Sequence, residues 1–420
     1  MQKQLLIAGG GIGGLAGALA AARAGWQVRL YERAAAFSEV GAGVQLGPNV
    51  VRILHDWGLA QALQAVAALP QRIQVRCALS GRELAVLPLG AAMQQRYGAP
   101  YVTIHRADLH GLLHAAAIAH PDIALHLGQR LERFSDDGGA VTATLTASGA
   151  TTVTGGGSAG KPIEGDALLG ADGLWSRTRA QLLGDLPPRV SGHLAYRTLV
   201  PREALADLPG LAGRDYVNQV TLWLGPQLHA VHYPVRRGEL HNLVVLVEGP
   251  APQNLESWDH AANAADLAAA LHGCCSALRH VVHGVAAAGC GWRLWPLCDR
   301  PPLRGPHEMA RGLVALLGDA AHPMRPYLAQ GAGMAIEDAA ELERALAMDA
   351  LEVPLRLRRY TLNRWQRAAR VQERAVRNGQ IFHARGPVRW ARDAALRLLG
   401  AQLLDQPWLY GGGAGALRGA

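Results

Sequence analysis

Lysine is almost absent from this 420-residue chain. Only Lys3 and Lys161 occur, so the formal charge of +8 is carried by arginine. Arginine without any basic run interleaved with aromatics reads as coding bias rather than as a nucleic-acid surface. Cysteine is scarce as well. Cys77, Cys274, Cys275, Cys290 and Cys298 show no CxxC spacing, which argues against a zinc site or disulfide framework and fits a reducing compartment. HExxH is missing, and no GxSxG elbow is read between a strand and a helix, so no zinc-protease centre or serine elbow is expected. No apolar run approaches the roughly twenty residues needed to span a bilayer. The first strand starts within five residues of Met1, which leaves no room for a signal peptide. The expectation is a cytoplasmic protein with no metal, no nucleic-acid partner and no membrane partner.

What is present begins at once. Residues 5–32 read LLIAGGGIGGLAGALAAARAGWQVRLYE: a short apolar strand, then Gly9, Gly11 and Gly14 in G-x-G-x-x-G register, an alanine-rich helix, and a second strand ending at Glu32. Each part has a task in a dinucleotide cradle. Gly9 permits the tight turn, Gly11 the approach of a pyrophosphate, and Gly14 the close packing of helix on strand. The helix N-terminus offers free N–H groups to phosphate, and Glu32 can accept from ribose hydroxyls. The motif alone does not choose between NAD and FAD.

Two further acid-glycine sites follow at long range. DALLGADGLWSRTR (166–179) ends a buried strand at Asp172-Gly173, and GLVALLGDAAH (312–322) ends another at Gly318-Asp319. A carboxylate beside glycine at a strand end suits a polar ligand lying over a sheet edge; either could also be an ordinary strand-to-helix turn. A glycine-rich helix start at Gly331, Ala332 and Gly333 could point N–H groups at an electron-rich ring or serve packing alone. Arg106, before the helix DLHGLLHAAA, reads on its own more readily as a surface ion pair than as a phosphate contact.

Together GGGIGG, EVGAGVQLGPN (39–49), IHRADLH (104–110), GADGLWSRTR and GDAAHPMRPYLAQGAGMAIEDA resemble the fingerprints of the single-component FAD-dependent aromatic hydroxylases, the para-hydroxybenzoate and salicylate hydroxylase family, over about residues 4–375. The resemblance implies that Gly9, Gly11, Gly14 and Glu32 hold the ADP half of FAD. It also implies that Val44, Arg106, Asp172 and Asp319 contact the cofactor and that Gly331–Gly333 lie against the flavin. It further implies NAD(P)H as transient co-substrate and transfer of oxygen from a flavin C4a-hydroperoxide to a phenolic or hydroxypyridine-type, acidic ring. Two other readings stand beside this one: a relative acting on a quinone precursor or lipid-like ring, and a non-catalytic flavin-binding sensor.

The fold expected is α/β, a Rossmann-like FAD-binding domain (1–188 and 286–345) with an inserted antiparallel substrate layer (189–285) and a helical C-terminal region (346–420). The insertion is read from the short alternating segments HLAYRTLV, VTLWLG, LHAVHYPV and HNLVVLVE. Residues 149–165, rich in glycine, serine and threonine, read as a hairpin tip. The tail is read as docking on the body or on a partner copy in a homodimer. In LHAVHYPV, alternation puts His229, Val231 and Tyr233 on one face and His232 on the other. His229 and Tyr233 are therefore candidates to deprotonate a phenolic substrate, and Tyr327, in the loop after Asp319, is a third candidate for the pocket.

Overall fold

The computed structural model describes residues 2–37, 42–147, 162–205, 218–252, 254–255, 260–261 and 264–412. At its centre the strand Gln4–Ala8 pairs in parallel with Gln27–Glu32 on one side and Ala167–Gly170 on the other. Ile123–Leu127 extends the sheet beyond the former, and Val314–Leu316 beyond the latter. Because these strands run in parallel, their carboxyl ends share one edge. Gly9, Glu32, Ala171 and Gly318 therefore meet there, although the sequence separates them by up to three hundred residues. The helix Ile12–Arg23 covers a face of this sheet, Gly331–Leu346 packs against that helix, and both are buried along most of their length.

The second layer is an eight-stranded, mainly antiparallel sheet. The four segments read as alternating strands become Arg189–Pro201, Val220–Gly225, Leu228–Val235 and Leu240–Glu248. The sheet reaches beyond 189–285. Arg72–Cys77 and Glu83–Pro88 join at one edge, with Arg72–Cys77 parallel to Val220–Gly225, and Arg293–Asp299 flanks Arg189–Pro201 near the other. One face carries Leu194, Tyr196, Ala230 and Val245 against helices Ala264–Ala270 and Ser276–Ala287. The opposite face looks toward the parallel-sheet domain. The reading of 149–165 as a hairpin tip lies outside the described residues over 149–161; Pro162–Gly165 pairs antiparallel with Val141–Ala147.

The C-terminal region is helical. Val353–Phe382 is followed by Gly386–Leu399 and two short turns. The tail docks on the body: Arg52 donates to the carbonyls of Tyr410 and Gly412, Arg367 to those of Trp408 and Leu409, and Tyr97 to Asp405. Among the described residues no helix is long and apolar enough to cross a membrane.

A buried charge network ties the long helix to the sheet edge. Asp338 accepts from Arg364 (2.8 Å), His322 (2.6 Å) and the Gly318 N–H (3.1 Å), while Glu337 binds Arg364, Arg367 and Asn49. Burial works to raise the Asp338 pKa, but His322, Arg364 and the hydrogen bonds it accepts outweigh that and hold it at about 2. An unfolded aspartate titrates near ~3.9. The stability this group contributes is therefore complete above pH ~4 and lost as pH falls through about 2. Acid titration of folding is expected to show this loss in the native protein and a flatter profile in Asp338→Asn. Arg364→Met, which removes the cation shared by two buried carboxylates while leaving His322 at Asp338 and Arg367 at Glu337, should cost about 3 kcal/mol in denaturant melts at neutral pH.

Candidate functional site

The sheet edge and the face of the antiparallel sheet enclose a cavity of about 270 Å³. On the sheet-edge side the three glycines divide the work physically. Gly9 has φ +103°, and a Cβ there would stand 2.5 Å from the Ala171 carbonyl oxygen. A Cβ on Gly14 would stand 1.9 Å from the Gly9 carbonyl oxygen, whereas one on Gly11 would meet nothing within 4 Å. Gly9 and Gly14 thus close the turn, and Gly11 is the open position. It caps helix Ile12–Arg23 with no side-chain hydrogen bond and no acid in the first turn, so the helix presents free N–H groups to the cavity. This arrangement fits an anionic pyrophosphate.

Glu32 is engaged locally as well. Its Oε2 accepts from the Gly10 N–H at 2.7 Å and its Oε1 from the Ala34 N–H at 2.8 Å. Each oxygen retains a lone pair for a further donor. Asp319 and Arg106 both line the cavity. Asp319 is reached by solvent within the cavity, yet enough protein surrounds it that burial raises its pKa, opposed by Arg106 and His322. Burial lowers the Arg106 pKa and Asp319 partly restores it. Val44, Gly331 and Ala332 line the same space. The remaining cofactor candidates sit differently. Gly333 packs away from the cavity, where a Cβ would meet Val50 at 2.8 Å. Asp172 turns into its own loop, accepting from the Ser176 hydroxyl (2.5 Å) and from the Thr178 N–H and hydroxyl (3.0 Å each). Its neighbours Ala171 and Gly173 line the cavity in its place.

On the sheet side, register decides which residues face inward. Arg197 pairs with Val244 and Val244 with Val231; Ala195 pairs with Leu246 and Leu246 with His229; Leu199 pairs with Asn242 and Asn242 with Tyr233. His229, Val231 and Tyr233 therefore share a face with Arg197, Val244 and Leu246, and all six line the cavity. His232 lies on the opposite face, 2.9 Å from His241. His229 is 3 % exposed, and burial first, then His383 and His193, holds its pKa well below the ordinary imidazole value. Its Nδ1 lies 2.8 Å from Nε2 of His383, which leaves Nε2 for the cavity. Burial raises the Tyr233 pKa against the opposing effects of Arg197 and Gln45. Gly43 makes room for its ring, since a Cβ there would stand 2.5 Å from it. Tyr327 stands behind His229, with ring centroids 5.0 Å apart, and its hydroxyl meets His193 Nδ1 at 2.5 Å.

Arg197 is the residue that sequence reading passed over. Its guanidinium lies 5.0 Å from the Trp295 ring and its Nε has no hydrogen-bond partner; the titratable groups acting on it are Tyr233 and Arg106, with no carboxylate among them. Burial lowers its pKa to about 10, so it stays charged at neutral pH. Its signal in the sequence is an arginine in mid-strand, flanked by Tyr196 and Thr198 within HLAYRTLV. His383 has no comparable signal; only the docking of a long helix brings it to His229.

The FAD binding domain family matches residues 2–272 and 304–375. The chain is 35 % identical over 390 residues to a 3-hydroxybenzoate 6-hydroxylase of Polaromonas naphthalenivorans, covering 93 % of this chain and 90 % of that one. It is 35 % identical over 379 residues to a 6-hydroxynicotinate 3-monooxygenase of Bordetella bronchiseptica, covering 88 % and 90 %. Among solved structures, a salicylate hydroxylase substrate complex superposes with TM-score 0.80 at 24 % identity over 99 % and 97 % of the two chains. Klebsiella pneumoniae HpxO complexed with FAD and uric acid does so with TM-score 0.79 at 25 % identity over 96 % and 94 %.

Proposed function

Because the chain belongs to the FAD-dependent aromatic hydroxylases, we propose that its substrate is a small aromatic carboxylate bearing a ring hydroxyl. The protein is a monooxygenase that uses FAD, NAD(P)H and O2 on a small aromatic compound. Bound FAD supplies the redox chemistry and the activated oxygen. The Ile12–Arg23 helix N-terminus and Gly11 are suited to the pyrophosphate. Glu32 and Asp319 are suited to hydroxyls, Arg106 to an anionic portion of the cofactor, and the backbone at Gly331–Ala332 to the ring edge.

The observation that carries the substrate class is Arg197. A half-buried guanidinium in the cavity wall without a carboxylate partner is poorly compensated in an empty site, and a substrate carboxylate completes it with a charge-assisted, bidentate pair. A lipid-like ring would leave that cation unanswered. With the acid held at Arg197, the hydroxyl of a one-ring substrate reaches the His229–Tyr233 row. His229, neutral because it is buried, accepts the phenolic proton on Nε2 and raises electron density in the ring. Tyr233 fixes the ring from the same face, and Tyr327 supports His229 from behind.

Comparing acids with their decarboxylated analogues tests this reading. 3-Hydroxybenzoate and 6-hydroxynicotinate are to be run against phenol and 2-hydroxypyridine for stimulation of NAD(P)H oxidation. The acids are expected to act at about ten- to hundredfold lower concentration, the value of a charged hydrogen bond. Equal response to acid and analogue would remove Arg197 from substrate recognition. On the cofactor side, Glu32→Ala and Asp319→Ala should each weaken FAD binding about ten- to hundredfold, read by titrating apoprotein with FAD. Unchanged affinity in both would reject these two assignments.

A further inference from the structure

Beyond His229, at the end of the sheet, side chains from three elements converge. His193 and Glu248 face each other directly across neighbouring strands, and His383 caps the helix Val353–Phe382 beside them. Each offers one donor atom, and the three atoms lie within 4.8 Å of one another. His383 Nδ1 and Glu248 Oε1 are 3.5 Å apart, close to the roughly 3.4 Å between two ligands of a tetrahedral ion with bonds of ~2.1 Å.

The remaining polar atoms of these side chains are already occupied. His383 Nε2 meets His229 Nδ1 at 2.8 Å, and His193 Nδ1 meets the Tyr327 hydroxyl at 2.5 Å. Glu248 Oε2 accepts from Gln227 at 3.2 Å and Arg385 at 2.9 Å. His383 is 5 % exposed, and its Nδ1 faces only the Glu248 carboxylate, at 3.5 Å. A contact that long satisfies a buried ring nitrogen weakly and leaves it open to a stronger partner. Histidines that ligate metals are held as these two are, by a hydrogen bond on the remote nitrogen. Glu248, about a third exposed, opens the cluster to solvent.

We propose that His193, Glu248 and His383 form a three-ligand site for a divalent cation of the zinc type, completed by water, whose occupancy disables His229 as a proton acceptor. The coupling, which rests on the role given to His229 above, follows from the ring tautomers. With no cation, the Glu248 carboxylate favours the proton on His383 Nδ1. His383 Nε2 then accepts from His229 Nδ1, and His229 Nε2 keeps a lone pair toward the cavity. A cation on His383 Nδ1 moves the ring proton to Nε2, which donates to His229 Nδ1. His229 then carries its proton on Nε2 and presents a donor where a phenol needs an acceptor. Arg385 at Glu248, Arg325 near His193 and Arg392 near His383 oppose the cation's charge and keep its affinity below that of a structural zinc site.

Titration of untagged, FAD-loaded protein with Co2+ tests the site, read as visible ligand-field absorption in difference spectra. One equivalent should saturate the bands of a four-coordinate ion, Zn2+ should displace it, and both His193→Ala and Glu248→Gln should abolish the signal. Absence of these bands in the native protein, or their persistence in both variants, overturns the site. This spectrum does not depend on what the substrate is, so its failure is distinct from failure of the carboxylate reading. In turnover, saturating Zn2+ should slow formation of the hydroxylated product at least about tenfold in the native protein, and leave Glu248→Gln at its own zinc-free rate. Undiminished turnover with the site filled overturns the coupling to His229.

Discussion

His229→Ala is expected to keep its FAD and to lose product formation by about a hundred- to ten-thousandfold, the usual contribution of a general base. Oxygen consumption should continue in part and end as hydrogen peroxide, because an undeprotonated ring competes poorly for the activated oxygen. His232→Ala supplies the contrast. The two residues are three positions apart on one strand, both buried, and each is paired with another histidine. They differ in the face they occupy. Loss of His232 should therefore lower stability and leave the ratio of product to NAD(P)H consumed near its native value. If His232→Ala abolished coupling while His229→Ala stayed coupled, the base would not lie on the cavity face. The pH behaviour follows from the same burial. Since the His229 pKa is held well below the ordinary value, its capacity to accept a proton should persist as pH falls below ~6.5, where an exposed histidine base would be lost.

Arg197→Met should raise the KM for an aromatic acid by about ten- to hundredfold or more and leave the weak response to a decarboxylated analogue unchanged. Arg197→Lys should recover only part of the loss, because a point charge does not reproduce a planar fork. A second effect separates this account from simple damage to the sheet. Removing a half-buried charge that lacks a protein carboxylate should leave the empty protein about as stable, so the melting temperature of Arg197→Met should not fall. A variant that lost stability and affinity for acid and analogue alike would mark Arg197 as a structural residue.

The parallel sheet was legible in the sequence because each of its motifs carries its own local signal: a glycine register, an acid at a strand end, a helix start. Parallel pairing then forces those ends onto one edge, so order along the chain was enough to foresee a shared site. The His229 strand was legible for a different reason, since the two-residue period of a strand fixes which side chains share a face. What escaped reading depended on contacts that no local pattern encodes. Asp172 looked like a ligand-facing acid, but the Ser176 and Thr178 groups that follow it draw its carboxylate into its own loop. Gly333 looked equivalent to Gly331, but helix geometry turns it toward Val50. Arg197 became significant only when pairing aligned it with Val244 and Val231. His383 reached His229 only through the packing of a helix more than a hundred residues downstream.

Turnover under 18O2 joins the flavin cradle, the Arg197 anchor and the His229 base in one observation. Native protein given NAD(P)H and a hydroxylated aromatic carboxylate should form a product with one additional ring hydroxyl, labelled with oxygen from O2. One NAD(P)H should be consumed for each product formed. NAD(P)H consumption that yields only hydrogen peroxide with every such acid, or a new hydroxyl carrying oxygen from water, would contradict it.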